Sequence, residues 1–296
     1  MVEDGFRSHV VDAAGDGSRL RDFIAERLGC SKRRAKALLD ARRVFVNRRR
    51  IWMAQHRLRK GDLVEFDAGT DSAARQAKGG PEIVHREPGM LIAVKPAAML
   101  TQGRGSLERR LRKGLNEPSL EAVHRLDRDT SGLVIFSLDP RVREQLIDQF
   151  RQRDLLKEYL AIVVGSPPPD LTKIEKRIEG KSATTHLRPL DCGRGVSLLE
   201  CRIESGRTHQ IRIHLAALGC PVLGDKKYGS KKLADRRLRR VPRQMLHAYR
   251  LGLRSPATGE LLDIRKAPPA DFMRVLKEFG LKCPDLQART PKNPRA

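Results

Sequence analysis

The chain has 296 residues, enough for one sizeable domain with its own core and a second, smaller one. It carries 60 Lys and Arg against 36 Asp and Glu, a formal net charge of +24, which favours a polyanionic partner such as nucleic acid. No apolar segment approaches membrane-spanning length and the start is acidic, so we expect a cytoplasmic protein that does not bind membranes. Its five cysteines form no Cys-x-x-Cys pair, which argues against a zinc site or a disulfide framework.

The N-terminal part of the chain predicts two short helices. Residues 1–17 carry little pattern, and we take them as a flexible lead-in. Ser18 is expected to cap a helix whose apolar residues recur with helical spacing as far as Gly29. Ser31 is expected to cap a second helix, in which a narrow apolar face is surrounded by cations.

Short strands follow the two helices. The apolar runs at 44–46 and 63–66 predict strands, and Asn47 begins a tight turn after the first of them. We therefore place a small domain at residues 18–67. Residues 68–80 are rich in Gly, Ala and Ser and predict a flexible linker.

The second helix and the strands after it are strongly cationic. Between Ser31 and Lys60 there are twelve Lys and Arg but a single acid, Asp40. A solvated helix face usually mixes both signs, so this imbalance favours a surface that contacts phosphates. The residues assigned to it are Lys32, Arg33, Arg34, Lys36, Arg42, Arg43, Arg48, Arg49 and Arg50.

Residues 81–280 predict a second, larger domain that mixes strands and helices, and the chain is therefore assigned to the α+β class. Strands are expected at 83–84, 91–94, 133–136, 162–164, 181–187 and 196–203. Asp139 and Pro140 open a helix with apolar residues at helical spacing. The stretch from His209 to His214 is also predicted to be strand-like. Residues 281–296 are taken as a disordered basic tail.

One stretch concentrates polar chemistry. His124 to Gly132 (HRLDRDTSG) places an imidazole, two guanidiniums, two carboxylates and two hydroxyls in nine residues, just before a buried strand. By composition alone it is typical of a polar turn. Loops held by a rigid scaffold, however, are where catalytic side chains concentrate.

This stretch resembles H-R-L-D-x-x-T-S-G, a motif of the RluA family of pseudouridine synthases, which isomerise uridine in RNA. Further strings agree with that family in the same order: 157–161 (KEYLA), 206–212 (GRTHQIR), 224–229 (GDKKYG) and 242–248. Lys95 and Pro96 match two structural positions of the family. The resemblance covers about residues 18–280 and implies a catalytic domain built on a mixed, largely antiparallel sheet flanked by helices.

The resemblance also implies the roles of individual residues. Asp127 corresponds to the catalytic carboxylate, Tyr159 to the active-site tyrosine, and Arg212 to the arginine that pairs with the carboxylate. We expect the guanidinium of Arg212 to hold Asp127 charged through a planar two-point contact. Arg125 is expected either to fill the gap left by a flipped-out uridine or to form a salt bridge within its own loop. The substrate-binding residues assigned are Arg125, His124, Thr130, Arg207, His209 and Gln210, with His124 ordering the loop.

The N-terminal domain resembles the αL RNA-binding module of ribosomal protein S-four, with Arg48 where that module has glycine. The substrate is therefore expected to be RNA, with ribosomal RNA favoured over transfer RNA. The isomerisation gains and loses no atoms, so no cofactor or metal is expected. Whether the carboxylate acts as a nucleophile or as a base stays open. The basic segment 226–240 is a possible second RNA-facing patch, and we expect a monomer.

Two other functions compete with this interpretation. A ribonuclease could use His124, His209, His214 and Lys157, but the second and third histidines would lie on opposite faces of a strand-like stretch. A non-catalytic RNA-binding or ribosome-assembly protein could keep the same fold. Such a protein has no need for an anion beside phosphate, so Asp127 argues against it.

Overall fold

The computed structural model describes residues 6–40, 44–67, 80–229 and 235–283. The chain divides into two compact units, residues 1–78 (unit 1) and 79–296 (unit 2). Outside the described residues lie Arg42, Arg43, the predicted linker except Gly80, part of the basic 226–240 segment, and the predicted tail from residue 284. None of the helices in the described ranges is both long and apolar enough to cross a membrane.

Unit 1 combines two helices with a small antiparallel sheet. Its elements are β1 (Phe6–Val10), α1 (Leu20–Arg27), α2 (Lys32–Asp40), β2 (Val44–Val46), β3 (Arg49–Arg50) and β4 (Leu63–Asp67). The strands lie in the order β1-β4-β2-β3. Phe23 and Ile24 of α1 and Leu39 of α2 pack against Val64 and Phe66 of β4 to form its core.

Three details of unit 1 test the sequence analysis. Residues 1–17 are predicted to be a flexible lead-in, but β1 within them pairs with β4 through its backbone, which a polar sequence does not reveal. Ser18 does not cap α1: its hydroxyl donates to the Gly15 carbonyl, and the cap position is Arg19. The cap at Ser31 is confirmed, since its hydroxyl accepts from the Arg34 backbone N–H at 3.2 Å.

Unit 2 is organised by one large sheet. Its strands are β5 (Ile83–Glu87), β6 (Met90–Lys95), β7 (Glu121–Ala122), β8 (Ser131–Ser137), β9 (Leu156–Val164), β10 (Lys173–Glu175), β11 (Thr184–Gly193), β12 (Val196–Ile203), β13 (Leu246–Arg254) and β14 (Leu261–Arg265). Its helices are α3 (Leu107–Leu115), α4 (Pro140–Arg151), α5 (Gln210–Ala217), α6 (Arg236–Arg240) and α7 (Ala270–Phe279).

The strands of unit 2 run in the order β10-β11-β12-β9-β13-β8-β6-β5, with β14 on β13 and β7 on β8. Among the described pairings, all are antiparallel except β13 with β8. The α+β class and the mixed, largely antiparallel sheet are therefore confirmed.

Apolar layers cover both faces of this sheet. Tyr159, Ala161 and Val163 of β9 face the layer that contains α3 and α5, and the alternate residues Leu160 and Ile162 face the layer of α7. This alternation follows from the period of two in a strand. Because both faces are buried, the central strands are continuous apolar runs in the sequence.

The stretch from His209 to His214, predicted to be strand-like, is not a strand. Helix α5 begins at Gln210, and its cap residue His209 has a left-handed backbone with φ 57°. The chain changes direction at His209, so the end of the GRTHQIR string is helical. A single turn of helix places Arg212 and Ile211 on different sides, the first towards the polar site and the second into the core.

Gly132 permits the parallel contact between β8 and β13. Its φ is +125°, and it pairs with Ala248. A Cβ at this position would lie 2.2 Å from the Ala248 carbonyl oxygen and 2.6 Å from its nitrogen. No side chain fits there, so the last residue of the HRLDRDTSG string is fixed by the sheet behind it.

We expect Gly132→Ala to destabilise the protein by about 3 kcal/mol or more, because it combines backbone strain with an overlap that only a shift of β13 can relieve. Urea unfolding measures the effect. Gly114→Ala is the matched control: a Cβ there meets no atom within 4 Å, and Gly114 lies in α3, where alanine is the better helix former. Equal urea concentrations at the unfolding midpoint of the two variants would contradict the role given to Gly132.

Candidate active site

Asp127 lies in the loop that leads into β8, and hydrogen bonds fix this loop. The Thr130 backbone N–H donates to the Asp127 carbonyl at 3.1 Å. One residue earlier, Leu126 donates its N–H to the Thr101 hydroxyl at 3.1 Å, and that hydroxyl donates to the Leu126 carbonyl at 3.2 Å. The backbone that carries the carboxylate is thus clamped on both sides.

A buried lysine supports the loop from below. Lys95 at the end of β6 is fully buried, and its Nζ donates to the carbonyls of Pro96, Met99 and Arg128 at 3.0, 2.7 and 3.0 Å. Burial lowers the pKa of Lys95 to about 7, and the charge of Arg243 adds to this effect. Lys95 was predicted as a structural match, and it joins the 95–99 turn to the Asp127 loop.

Arg212 of α5 connects two carboxylates. Its Nη1 donates to Asp127 Oδ2 at 2.7 Å, while its Nε and Nη2 donate to Asp225 Oδ2 and Oδ1 at 2.6 and 2.9 Å. The planar two-point contact predicted for Asp127 is therefore made with Asp225, and Asp127 receives a single hydrogen bond from Arg212. Burial alone lowers the pKa of Arg212, but these hydrogen bonds outweigh burial and raise it above its usual value.

Asp225 is the residue that the sequence analysis missed. Its side chain is 0% exposed, whereas that of Asp127 is 21% exposed. Asp225 Oδ1 also accepts the backbone N–H groups of Lys227 and Tyr228 at 2.9 and 3.1 Å. Burial raises the pKa of Asp225, but its bonds to Arg212 and to these amides lower it below the usual value. The sequence feature that could have indicated Asp225 is its position in the GDKKYG string, which matches the family.

Gln244 also reaches the site from a distant part of the sequence. Its Nε2 donates to the Thr130 hydroxyl at 2.7 Å and to Asp127 Oδ2 at 3.3 Å. Its neighbour Arg243 donates to the Asp129 carbonyl at 3.1 Å and pairs with Asp271. The segment before β13 thus holds the Asp127 loop, although 117 residues separate the two.

Tyr159 enters from β9, where it pairs with Cys201 of β12 and Ala248 of β13. Burial raises the pKa of its hydroxyl, and the negative charge of Asp127 raises it further. The phenol is therefore neutral at physiological pH. No described residue hydrogen-bonds to its hydroxyl.

His209 completes the surroundings of Asp127. Its Nε2 is 3.8 Å from Asp127 Oδ1, and its Nδ1 is 3.0 Å from the Tyr228 hydroxyl. The Tyr228 ring in turn lies 5.2 Å from the Arg212 guanidinium carbon. Burial lowers the pKa of His209, which keeps the ring neutral beside the carboxylate.

Three of the predicted substrate-binding residues form hydrogen bonds to other parts of unit 2. Gln210 accepts from Ser205 and from the Arg207 N–H, and donates to the Thr184 carbonyl and the Thr185 hydroxyl. Thr130 is buried against Gln244. His124 Nε2 accepts the Ile135 backbone N–H at 3.1 Å, and burial lowers its pKa to about 3.

The two predicted arginines are exposed. Arg125 lies two residues before Asp127 and makes no ion pair with any described residue, so the internal salt bridge considered as its alternative is absent from this part of the chain. Arg207 is exposed in the loop before α5.

The histidines of the ribonuclease hypothesis do not come together. His214 hydrogen-bonds to the Thr185 hydroxyl at 2.9 Å and to the Lys176 carbonyl, and His124 bonds to β8. Only His209 approaches Asp127. Among the described residues, no group of three or more His, Cys, Asp or Glu could hold a metal ion.

Comparison with known proteins identifies the family. The family model described as RNA pseudouridylate synthase matches residues 89–217. Ribosomal large subunit pseudouridine synthase D from Xanthomonas campestris pv. campestris is 32% identical over 270 residues, which cover 78% of this chain and 81% of that protein. The chain belongs to the RluA family of pseudouridine synthases.

Solved structures agree with this assignment. Human RNA pseudouridylate synthase domain containing 1 matches with a TM-score of 0.53 and 28% identity, covering 64% of this chain and 84% of that one. Human RNA pseudouridylate synthase domain containing 4 has a TM-score of 0.60 at 24% identity, covering 69% and 95%, and supports the fold. The prediction of an RNA pseudouridine synthase, an isomerase that acts on RNA, is confirmed.

The neutral side chain of His247 connects the start of β8 to Lys266 through two hydrogen bonds. His247 Nε2 donates to the Lys266 carbonyl at 3.0 Å, so its Nδ1 accepts from the Ser131 hydroxyl at 2.9 Å. Burial lowers the pKa of His247 from 6.5 to about 4. The unfolded chain therefore binds this proton at a higher pH than the folded protein does.

We expect stability to fall as the pH drops from about 6.5 to about 4, since the unfolded state alone gains the proton in that window. The contribution of His247 is on the order of 3 kcal/mol. Urea unfolding at a series of pH values measures it. His247→Gln, which cannot titrate, should show a flatter dependence, and an unchanged slope would assign the acid sensitivity to other groups.

Proposed function

We propose that this enzyme converts uridine to pseudouridine in large-subunit ribosomal RNA, with Asp127 as the reacting carboxylate. The names of its relatives support the substrate. The contacts of Arg212 support the choice of Asp127. Arg212 binds two carboxylates: that of Asp225 is buried, and that of Asp127 is accessible from solvent.

The hydrogen bonds of Asp127 indicate which oxygen reacts. Oδ2 accepts from Arg212 and Gln244, whereas Oδ1 has only the 3.8 Å approach of His209 among the described residues. Arg212 and Gln244 thus fix the carboxylate by one oxygen and leave the other directed to the substrate. The carboxylate is therefore preorganised before the substrate binds.

The reaction breaks the bond from ribose to the uracil nitrogen, turns the base and forms the bond to carbon 5. Asp127 Oδ1 acts on the ribose or on the base, either as a nucleophile or as a proton acceptor, and both roles need an anion. Tyr159 offers a ring on which uracil can stack and a neutral hydroxyl that can pass a proton. Arg125, exposed two residues before the carboxylate, fills the gap when the uridine leaves its stack.

Unit 1 is proposed to bind RNA as an S-four-like domain. Its α2 exposes Lys32, Arg33 and Lys36, and the turn after β2 exposes Arg48 and Arg49. The pairing of Lys36 with Asp40 at 2.8 Å is a surface ion pair, which competes weakly with phosphate. The turn itself keeps its left-handed form, with φ 48° at Asn47 and 66° at Arg48.

We also infer that the protein is a cytoplasmic monomer. The large exposed apolar side chains of the described residues are scattered over both units: Val10, Trp52, Met53, Leu100, Leu261 and Met273. Stable homodimers usually bury a contiguous apolar face. Sedimentation of the purified protein measures the state directly.

We expect Asp127→Asn to abolish pseudouridine formation and to bind RNA as tightly as the wild type or more tightly, because a charge that repels phosphate is removed. Pseudouridine mapping in ribosomal and transfer RNA, from cells with the wild type, the variant or neither, measures this. Asp129→Asn, in the same loop, is the matched control and should keep activity. Modification by Asp127→Asn at the wild-type level would refute its assigned role, and sites confined to transfer RNA would refute the ribosomal substrate.

Two substitutions of Tyr159 distinguish its contribution to stacking from its contribution to proton transfer. Tyr159→Phe keeps the ring and should lose the proton-handling contribution, on the order of 100-fold in turnover. Tyr159→Ala should lose stacking as well and bind the substrate more weakly. Single-turnover kinetics on an RNA fragment resolve binding from chemistry, and equal losses in both variants would contradict the two separate roles.

A further inference from the structure

Trp52 and Met53 form an exposed apolar pair on unit 1. Their side chains are 55% and 57% exposed, and Trp52 is the single tryptophan of the chain. Isolated exposed apolar residues are common on proteins, but an exposed tryptophan offers a large flat ring on which another flat group can stack. Neither residue belongs to the site built around Asp127.

The backbone on both sides of the pair is anchored. The Ile51 N–H donates to the Val44 carbonyl at 3.0 Å, and the Arg21 N–H donates to the Ala54 carbonyl at 3.3 Å. Ile51 and Ala54 also pack against the core of unit 1. The exposed pair therefore lies on a short, fixed segment, and a ligand that binds it does not have to order the backbone first.

The surroundings of the pair are cationic. Residues 44–61 contain six Lys and Arg and no Asp or Glu. Arg49 precedes the pair, and Arg57 follows it and forms a backbone bridge with Arg19; all three side chains are exposed. An exposed aromatic ring in an arginine-rich segment suits a ligand that combines flat apolar groups with repeated negative charge.

We propose that Trp52, with Met53 beside it, is a stacking site for an unpaired base of the RNA substrate, flanked by arginines that contact the adjoining phosphates. A base inside a duplex is covered on both faces, so the site selects a loop, a bulge or a single-stranded segment of the RNA. Stacking tolerates any base, and the site therefore contributes affinity for unpaired RNA without reading its sequence. The proposal rests on RNA being the substrate, and it does not depend on which RNA that is.

The single tryptophan makes the site directly observable. The full-length protein is titrated with oligoadenylate, which has no uridine to modify, and the tryptophan fluorescence is followed. Quenching by this single strand is expected, with much less quenching by an RNA duplex of the same length or by polyphosphate. Equal quenching by polyphosphate would show that charge alone acts on the ring. Stronger quenching by phosphatidylserine vesicles would assign the patch to a membrane surface instead, because tryptophan and arginine also suit that interface.

Substitutions give the size of the effect. Because the Trp52 variants have no tryptophan, their binding is measured by the fluorescence anisotropy of dye-labelled oligoadenylate. Trp52→Ala should weaken this binding by roughly 5- to 150-fold, and Trp52→Phe should recover most of the loss. Leu261→Ala removes a side chain of 64% exposure in β14 and is the control that should bind as the wild type does. Trp52→Ala should also keep the salt dependence of binding, whereas Arg49→Gln should reduce it by about one phosphate contact.

The failure of this proposal is separable from that of the proposed function. Wild-type affinity in Trp52→Ala, or a fall in its salt dependence equal to that of Arg49→Gln, would overturn the stacking site and leave the Asp127 chemistry unaffected. Asp127→Asn should quench as the wild type does. If that variant still isomerised uridine, the catalytic assignment would fail while the stacking site remained.

Discussion

One guanidinium held between two carboxylates is the constraint on which the active site depends. Arg212 has a side chain of 8% exposure, and its two-point partner Asp225 is wholly buried. A buried charge without a partner costs several kcal/mol, so Arg212 requires Asp225. Asp225 in turn requires Arg212 and the backbone amides of Lys227 and Tyr228. The pair together is neutral. The negative charge that remains in the group is therefore that of Asp127, the member that solvent and substrate can reach.

This arrangement requires three separate parts of the chain to meet within hydrogen-bond distance. Helix α5 carries the guanidinium, the turn at 224–229 carries the buried carboxylate, and the loop before β8 carries the accessible one. The parallel contact of β8 with β13 brings the loop to Gln244, and Gly132 lets the two backbones approach closely enough. The packing of β8 against β13 thus sets the position of the Asp127 side chain.

The charge of the chain and the charge of the site have opposite signs. A net charge of +24 attracts RNA from a distance, and screening limits that attraction to about 10 Å or less at physiological salt. At close range Asp127 repels phosphate, and Arg212 and the exposed Arg125 offset that repulsion. A positive net charge combined with the accessible carboxylate of Asp127 suits an enzyme that holds an RNA backbone while it acts on one nucleotide.

The sequence by itself determined the features that depend on neighbours along the chain. Asp139 and Pro140 predicted the start of α4, the apolar run after Gly132 predicted the buried strand β8, and the family strings pointed to Asp127 and Arg212. The tertiary structure alone decided that Asp225 takes the two-point contact, that Gln244 holds Oδ2, and that 6–10 is a strand. Capping and periodicity are local and can be recognised in a window of residues, whereas these contacts join segments 13 to 117 residues apart through backbone and polar groups that leave no periodic pattern.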